Sequence, residues 1–385
     1  MPTGDAADIG IGAGADLVFL YPDALETPTG GYVYDRQLLT ALADAGLRIE
    51  AHSLGGGYPA PTPETLVRAE AALSRLPDGQ AVMIDGLAFG VMADVARPHA
   101  GRLRLVALVH HPLAHESGIP EARAAELLAS ERAALALADH VVTTSHATAT
   151  AVAAGFGVPR GRITVLEPGL SVQAAKERSP CDHGDGRPLR LLAVGSLIPR
   201  KDYPTLLGAV ARLSDRALRL DIVGSPALDP ACAAAIKTEV DRLGLGTRVR
   251  LHGALERAAL DALYAEADIF TLTTLYEGYG MAFAEAMAHG LPVIATGEGA
   301  VRDTVPPSAG MVLATGDVSG VTEAIARLCD NPLVRSEMAA AARAHAASLP
   351  TWRDQARRLA DLLDLLARND PAGELFGDPA TGNIT

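Results

Sequence analysis

Short apolar runs alternate with Ala/Leu-rich stretches over most of the chain, and this alternation limits the fold more than any other feature. The short runs predict buried strands, and the longer stretches between them predict helices. Strands that alternate with helices form parallel sheets in α/β proteins. Two series of six strands are predicted, at 16–21, 47–53, 81–85, 103–110, 140–143 and 163–166, and at 189–194, 218–223, 249–252, 269–273, 292–295 and 310–313.

A polar stretch at 171–188, rich in Gly and Pro, separates the two series and predicts a linker between two Rossmann-like domains. The N-terminal domain is expected at 16–170 and the C-terminal domain at 189–350, with their parallel sheets facing across a cleft. Leucines at helical spacing predict a closing helix over 351–368 that packs back on the N-terminal domain. Residues 1–15 and 369–385 are expected to form a flexible leader and a loose tail.

The composition excludes several classes of protein. The chain has 385 residues, a net charge of -13 and no cluster of Lys and Arg, which argues against nucleic acid as a partner. No apolar run approaches the roughly 18 residues of a membrane span, and the N-terminus lacks the pattern of a secretory signal. We therefore expect a cytoplasmic protein without a transmembrane segment. The three cysteines are far apart and give neither a disulfide framework nor a zinc site.

The strongest chemical signal is the stretch 271–296, in which two glutamates flank the predicted start of a helix. Glu277 is expected in the loop after a strand, and Glu285 about one turn into the helix. Ionised carboxylates accept hydrogen bonds from sugar hydroxyls. A glycine lets a ligand approach the backbone, and the first N–H groups of a helix attract an anion. The residues expected at this helix start are Gly280, Met281, Ala282 and Phe283.

Two cations, Arg200 and Lys201, follow the first strand of the second series. The chain has only three lysines, so a lysine at the expected cleft stands out. Fixed cations at that place would neutralise a diphosphate leaving group. A solvated turn with idle surface charges is the alternative interpretation.

The N-terminal series has two weaker signals at strand ends. Gly30 and Gly31 come after the first strand and at the start of a helix, where backbone can approach an anion. An ordinary strand-to-helix turn explains them equally well. His110 and His111 end the fourth strand, where parallel sheets bind ligands, although a buried and hydrogen-bonded histidine is the usual alternative.

Taken in order, these segments resemble a retaining glycosyltransferase of family 4, which has the GT-B fold of two Rossmann-like domains. The similarity extends through nearly the whole chain, and its most specific part is LYAEADIFTLTTLYEGYGMAFAEAMAHGLPVIAT. The other segments are more generic: TGGYVYDRQLLTAL, VHHPLAHE, ADHVVTTSHAT, ITVLEPGL, VGSLIPRKDYPTLL and RVRLHG.

The resemblance implies a role for each candidate residue. Glu285 would accept hydrogen bonds from the ribose of the donor, while Glu277 and the nearby backbone amides would hold the donor sugar. Lys201 would contact the donor phosphates. His110 resembles the histidine of the N-terminal domain that lies near the reacting sugar, although His111 can be aligned in its place.

One position departs from the family pattern. An arginine commonly follows the glycine of the first C-terminal strand, and here Ser196 follows Gly195. Either Arg200 takes over part of this charge or the leaving group is less well stabilised. His252 and Gly253 are similar to the stretch that borders the nucleotide base.

The implied activity is transfer of a sugar from a nucleotide-diphosphate donor to a hydroxyl of an unidentified lipid, glycan or small-molecule acceptor, with retention. A uridine diphosphate hexose is the favoured donor and GDP-mannose the next. No Asp-x-Asp motif stands at a strand end, so neither a metal nor another cofactor is expected. A non-catalytic nucleotide-sugar binding protein is an alternative, which Ser196 keeps open. A nicotinamide-dependent oxidoreductase is less favoured, because no glycine fingerprint follows either first strand.

Overall fold

The computed structural model of the protein describes residues 14–170 and 187–368. Almost all of the expected leader (1–15) and linker (171–188), the whole expected tail (369–385) and Cys181 lie outside these ranges. The chain divides into two compact units. Within the described residues, the N-terminal unit comprises 14–27, 31–169 and 352–368, and the C-terminal unit comprises 28–30, 170 and 187–351.

The N-terminal unit contains one sheet of six parallel strands: β1 (Leu17–Tyr21), β2 (Ile49–Ser53), β3 (Ala81–Asp85), β4 (Arg104–Val109), β5 (His140–Thr143) and β6 (Ile163–Val165). Their order across the sheet is β2-β1-β3-β4-β5-β6. Strand β2 lies on one side of β1, and β3 lies on the other side of β1. The strand order therefore reverses between β1 and β3, and ligands bind at such a switch point in open α/β sheets.

Helices cover this sheet because their apolar residues repeat at helical spacing and pack against the strands. The buried core includes Val18, Ile84 and Val109 from the strands and Leu73 and Val152 from the helices. The helices are α1 (Gly30–Asp44), α2 (Pro63–Ser74), α3 (Gly86–Phe89), α4 (Ala93–Ala96), α5 (Glu121–Leu135), α6 (His146–Phe156) and, at the far end of the chain, α14 (Trp352–Arg368).

The C-terminal unit repeats this plan with the strands β7 (Leu189–Val194), β8 (Leu218–Val223), β9 (Val249–Leu251), β10 (Ile269–Leu272), β12 (Val293–Thr296) and β14 (Gly310–Leu313). These parallel strands are ordered β14-β12-β10-β7-β8-β9, so the order reverses between β7 and β10. Two short strands, β11 (Tyr276–Glu277) and β13 (Glu298–Gly299), pair separately. The helices are α7 (Tyr203–Ala211), α8 (Pro230–Arg242), α9 (Arg257–Glu266), α10 (Met281–Ala288), α11 (Val301–Thr304), α12 (Val318–Asp330) and α13 (Pro332–Ala346).

The predicted α/β class with two parallel sheets is confirmed, and each of the twelve predicted strands lies within two residues of an observed one. The largest difference is at β2, which begins at Ile49 rather than at Leu47. Gly46 has a φ of +96° and Leu47 donates its N–H to Leu42 O at 3.1 Å, so this part of the chain closes helix α1 instead of extending β2. Strands β11 and β13 were missed because two residues are too short for a periodic pattern.

Two absences hold for the described part of the chain. None of its helices has both the length and the apolar character needed to cross a membrane. Among the described residues, Cys232 and Cys329 are free thiols.

Candidate functional site

Side chains from two elements meet at the switch point of the C-terminal sheet. Arg200 and Lys201 lie in a 3₁₀ turn after β7, and Glu277 lies on β11, shortly after β10. Lys201 Nζ is 2.5 Å from Glu277 Oε1, and Arg200 Nη1 is 3.7 Å from Glu277 Oε2. Because open α/β sheets bind ligands outside the carboxyl ends of such strands, three of the predicted residues come together where a ligand is expected.

The end of β10 holds the turn that carries the two cations. Thr274 Oγ1 donates to Arg200 O at 3.0 Å, and Thr273 Oγ1 donates to Asp202 O at 2.8 Å. Asp202 has a φ of +39°, which is uncommon for a residue with a side chain. The two threonines therefore hold the backbone of this strained turn at Arg200 and at Asp202. Sequence reasoning missed them, although the run TLTT (271–274) at the end of a predicted strand was a usable signal.

Glu277 is nearly inaccessible, with 6% of its surface exposed. Burial opposes its ionisation, but the charges of Lys201 and Arg200 and hydrogen bonds from Lys201 and Thr274 outweigh burial and hold its pKa below the ordinary value. The Lys201, Arg200 and Glu277 cluster thus carries one net positive charge. Glu277 lies on a strand rather than in the expected loop, because its carbonyl accepts the Ala300 N–H at 2.9 Å.

Helix α10 begins where the sequence predicted it. Gly280 has a φ of +90°, and a Cβ there would lie 2.5 Å from a ring carbon of Phe283, so this position requires glycine. Phe283 was expected to offer its N–H to an anion. Instead, Phe283 N donates to Gly280 O at 2.9 Å, so this N–H is already used. The Met281 and Ala282 amides have no acceptor among the described residues, so two of the three expected donors remain.

Glu285 has a cationic partner that sequence reasoning missed. Arg257 Nη1 lies 3.2 Å from Glu285 Oε1, and Arg257 Nη2 lies 2.7 Å from Asp261 Oδ1. Burial raises the pKa of Glu285, and Arg257 opposes the shift without cancelling it. Arg257 lies on α9, 28 residues before Glu285, and no pattern in the sequence links the two.

Glycines keep the space beside Lys201 open. A Cβ on Gly195 would lie 3.2 Å from Lys201 Cε, and one on Gly224 would lie 1.9 Å from Gly195 O. Tyr203 fixes the same carbonyl, because its hydroxyl donates to Gly195 O at 2.6 Å. Ser196, which follows, is half-buried.

His252 and Gly253 follow β9 at the same carboxyl edge of the sheet. His252 Nε2 lies 2.7 Å from Asp221 Oδ1, and this carboxylate fixes the ring. Gly253 has a φ of +71°, and its carbonyl accepts the Gly224 N–H at 2.9 Å.

In the N-terminal unit, His110 lies beside two buried acids that sequence reasoning missed. Its Nε2 is 3.0 Å from Asp35 Oδ1 and 3.7 Å from Asp85 Oδ2. A Cβ on Gly31 would lie 3.4 Å from His110 Cδ2, so Gly31 and His110 come together, while one on Gly30 would meet nothing within 4 Å. Asp85 ends a strand, and this position was the available signal.

These three titratable side chains perturb one another. Burial and the Asp35 charge raise the pKa of Asp85 to about 7. Burial lowers the pKa of His110, but the neighbouring Asp35 and Asp85 raise it by more. The net result is a pKa above the ordinary value of histidine. Within 14–170 and 187–368, this group also brings His and acid ligand atoms within 4.8 Å of one another, close enough for one metal ion. His111 is engaged elsewhere, since its Nε2 lies 3.0 Å from Glu116 Oε2.

Two family models match the chain. The Glycosyltransferase Family 4 model matches residues 82–174, and the Glycosyl transferases group 1 model matches residues 188–331. Over these two ranges the chain is similar to the family 4 glycosyltransferases. The matched ranges include nearly all of β3 and the whole of β4 to β6 in one unit and β7 to β14 in the other, and with them His110, Arg200, Lys201 and Glu277.

The curated proteins that the chain is similar to include mannosyltransferases. A GDP-mannose-dependent monoacylated alpha-(1-6)-phosphatidylinositol monomannoside mannosyltransferase of Corynebacterium glutamicum is 32% identical over 43% of the chain and 45% of the relative. A GDP-mannose-dependent alpha-(1-6)-phosphatidylinositol monomannoside mannosyltransferase of Mycolicibacterium smegmatis is 29% identical over 73% of the chain and 76% of the relative. For three curated relatives the match spans only 45%, 63% and 54% of the relative's length.

A solved structure has the same fold as this chain. The sucrose-phosphate synthase from Thermosynechococcus elongatus has a TM-score of 0.76 at 20% identity, over 92% of this chain and 100% of that chain. The predicted GT-B fold is thereby confirmed.

Proposed function

We propose that this protein is a glycosyltransferase, which transfers a sugar from a nucleotide-diphosphate donor to a hydroxyl of its acceptor. The observation that carries the proposal is the cluster of Lys201, Arg200 and Glu277 at the switch point between β7 and β10. Cleavage of a sugar–phosphate bond leaves negative charge on the diphosphate. Fixed cations and amides that meet this charge stabilise the transition state more than the ground state.

Each candidate site residue of the C-terminal unit has a role in the proposed reaction. Lys201, with Arg200 beside it, binds the diphosphate, and the Met281 and Ala282 amides add two neutral donors. Glu277 holds the ammonium group of Lys201 in place and accepts hydrogen bonds from the donor sugar. The remaining donor-binding residues are Glu285 on the ribose, His252 and Gly253 beside the base, and Gly195, Ser196 and Gly280 as close backbone neighbours.

We further propose that the reaction retains the anomeric configuration and uses no metal. The acceptor oxygen bonds to the anomeric carbon on the face from which the phosphate oxygen leaves, and that phosphate oxygen takes the acceptor's proton. Lys201, Arg200 and the two amides supply the positive character that a metal supplies in other transferases.

The names of the relatives favour GDP-mannose as the donor over the uridine diphosphate hexose expected from the sequence. They also favour an acceptor that contains inositol, since two relatives act on phosphatidylinositol monomannosides and a third is named a D-inositol 3-phosphate glycosyltransferase. The first experiment is therefore a panel of GDP- and UDP-sugars with phosphatidylinositol, its monomannoside and inositol phosphate. Nucleotide release with product formation supports the proposal, whereas nucleotide binding without turnover of any pair would favour a binding protein.

The decisive variant is Lys201→Ala. Because charge on the diphosphate grows in the transition state, we expect kcat to fall by a factor of about 100 to 1000, with a smaller change in donor affinity. Lys237→Ala is the matched control, since Lys237 is exposed on α8. Wild-type kcat in the Lys201 variant would place the phosphates elsewhere.

A further inference from the structure

Three side chains that carry metal-ligand atoms converge at one edge of the N-terminal sheet. Asp85 ends β3, His110 directly follows the neighbouring β4, and Asp35 reaches the same place from α1. Asp35 Oδ1 lies 3.0 Å from His110 Nε2, and Asp85 Oδ2 lies 3.7 Å from the same nitrogen. One ligand atom from each side chain lies within 4.8 Å of the other two, so the cluster is small enough to surround a single ion.

The cluster contains more buried negative charge than its own residues can balance. The side chains of Asp35 and Asp85 are 0% and 5% exposed. In the described part of the chain, neither carboxylate forms an ion pair with a lysine or an arginine, and His110 supplies at most one positive charge. Two charges taken out of water are costly unless both are paired. A divalent cation would balance both carboxylates while the imidazole stays neutral.

One buried oxygen of the cluster also lacks a partner. Asp35 Oδ2 accepts no hydrogen bond from any described residue, although buried polar atoms in proteins are nearly always satisfied. Asp85 is better held, because its Oδ1 accepts the Leu87 N–H at 2.7 Å. The two acids lie within hydrogen-bonding reach of each other, yet ionised carboxylates only accept hydrogen bonds. A proton or a metal ion is therefore required between these oxygens.

The ligand set and its dimensions fit zinc. Ligands at the zinc bond lengths of about 2.0–2.2 Å lie roughly 3.3–3.5 Å apart at the corners of a tetrahedron. The two measured distances from His110 Nε2, 3.0 and 3.7 Å, bracket this range. Mg²⁺ and Ca²⁺ prefer six or more oxygen ligands, whereas imidazole nitrogen suits Zn²⁺. A Cβ on Gly31 would lie 3.6 Å from Nε2, so the glycine leaves room beside this nitrogen for a water as fourth ligand.

We propose that Asp35, Asp85 and His110 bind one Zn²⁺ ion, with water as the fourth ligand. His110 coordinates through Nε2, and the hydrogen that this nitrogen otherwise carries leaves to solvent. The ion ties α1 to the ends of β3 and β4 and thereby stabilises the N-terminal unit. All three ligands belong to that unit, so the site is separate from the metal-free neutralisation of the diphosphate that we propose for the C-terminal unit.

The test titrates zinc into the full-length chain without nucleotide or acceptor. The starting protein carries Cys181→Ser and His183→Gln, because a thiol and an imidazole so close in sequence are zinc ligands in their own right. Calorimetry gives the stoichiometry and the affinity. Co²⁺ is then used in place of Zn²⁺, since its visible absorption is strong in tetrahedral coordination and weak in octahedral coordination.

The variants are His110→Gln, Asp35→Asn and Asp85→Asn, each made in the starting protein. His111→Gln is the matched control, because this neighbouring histidine lies 3.0 Å from Glu116 Oε2 instead of the cluster. We expect one Zn²⁺ per chain and a tetrahedral Co²⁺ spectrum in the starting protein and in the control.

Affinity for zinc should fall at least roughly 100-fold in His110→Gln, since even the loss of a residue that only orients a ligand costs roughly 10- to 100-fold. Added Zn²⁺ should raise the Tm of the starting protein, because an ion that binds only the folded state stabilises it. The Tm of His110→Gln should not respond to the same addition.

Three results would overturn the inference: no zinc bound at one ion per chain, equal affinity in His110→Gln and the starting protein, or an octahedral Co²⁺ spectrum. The first would mean that a proton shared by the two acids takes the place of the ion. If Asp35→Asn or Asp85→Asn does not fold, His110→Gln supplies the comparison, since 21% of its side chain is exposed. A chain that binds zinc as described but transfers no sugar would support this inference and contradict the proposed function alone.

Discussion

Glu131 is a buried carboxyl group whose ionisation should weaken the N-terminal unit. It lies on α5 with 1% of its surface exposed, and its Oε2 accepts the Leu113 N–H at 3.0 Å, just after the His110 and His111 pair. Burial raises its pKa from 4.5 to about 8, although hydrogen bonds from the Leu113 and Ala114 amides oppose the shift. The group folds most favourably when it is neutral.

The sign of the pH dependence follows from this shift. A raised pKa in the folded state means that the stabilising effect is fully present below pH 4.5 and is lost as the pH rises towards 8. The loss is about 1.4 kcal/mol per pH unit in that window. Between pH 5 and pH 8, the free energy of unfolding of Glu131→Gln should therefore rise relative to the wild type by roughly 3 to 4 kcal/mol.

The assay is urea unfolding followed by the fluorescence of Trp352, which is the only tryptophan and belongs to the N-terminal unit. At pH 5 the variant should be the less stable protein, because its amide group faces backbone donors and leaves one of them unsatisfied, at about 1–3 kcal/mol. Glu126→Gln, exposed on the same helix, is the control. If the stability curves of Glu131→Gln and the wild type run parallel from pH 5 to pH 8, Glu131 does not titrate as the structure indicates.

Two further predictions concern the C-terminal unit. Arg257→Ala should weaken nucleotide binding measured by calorimetry, but by less than the roughly 1.5–3 kcal/mol expected for Glu285→Ala, because Arg257 only holds the carboxylate; equal losses would mean that Arg257 contacts the nucleotide itself. Gly224→Ala should destabilise this unit in thermal unfolding followed by circular dichroism, by roughly 1–3 kcal/mol, since its Cβ would lie 1.9 Å from Gly195 O. Gly246→Ala, with nothing within 4 Å, is its control and should match the wild type.

The sequence was sufficient for the sheets and for part of the site. Parallel strands end at one edge, so the sequence indicated that a lysine after β7 and a glutamate after β10 lie at the same edge of the sheet. That β7 and β10 are adjacent is known only from the structure. The sequence was not sufficient for contacts between side chains that are far apart along the chain. Arg257 meets Glu285 from another helix, and Asp35 meets His110 across 75 residues, with no periodicity to signal either pair. The bond from Phe283 N to Gly280 O depends on local backbone angles that residue types do not determine.

The last described helix has a consequence for how the protein is made. Helix α14 belongs to the N-terminal unit, and the Trp352 ring meets that of Tyr34 at 5.2 Å, on the helix that also carries Asp35. A ribosome releases the strands of this unit first and Trp352 only after the whole C-terminal sheet. The N-terminal unit is therefore the first to start folding and the last to be complete. The packing around Tyr34 and His110 can form only after Trp352 has been synthesised. A chain that stops near residue 350 would have a complete C-terminal sheet but an N-terminal unit without its last helix.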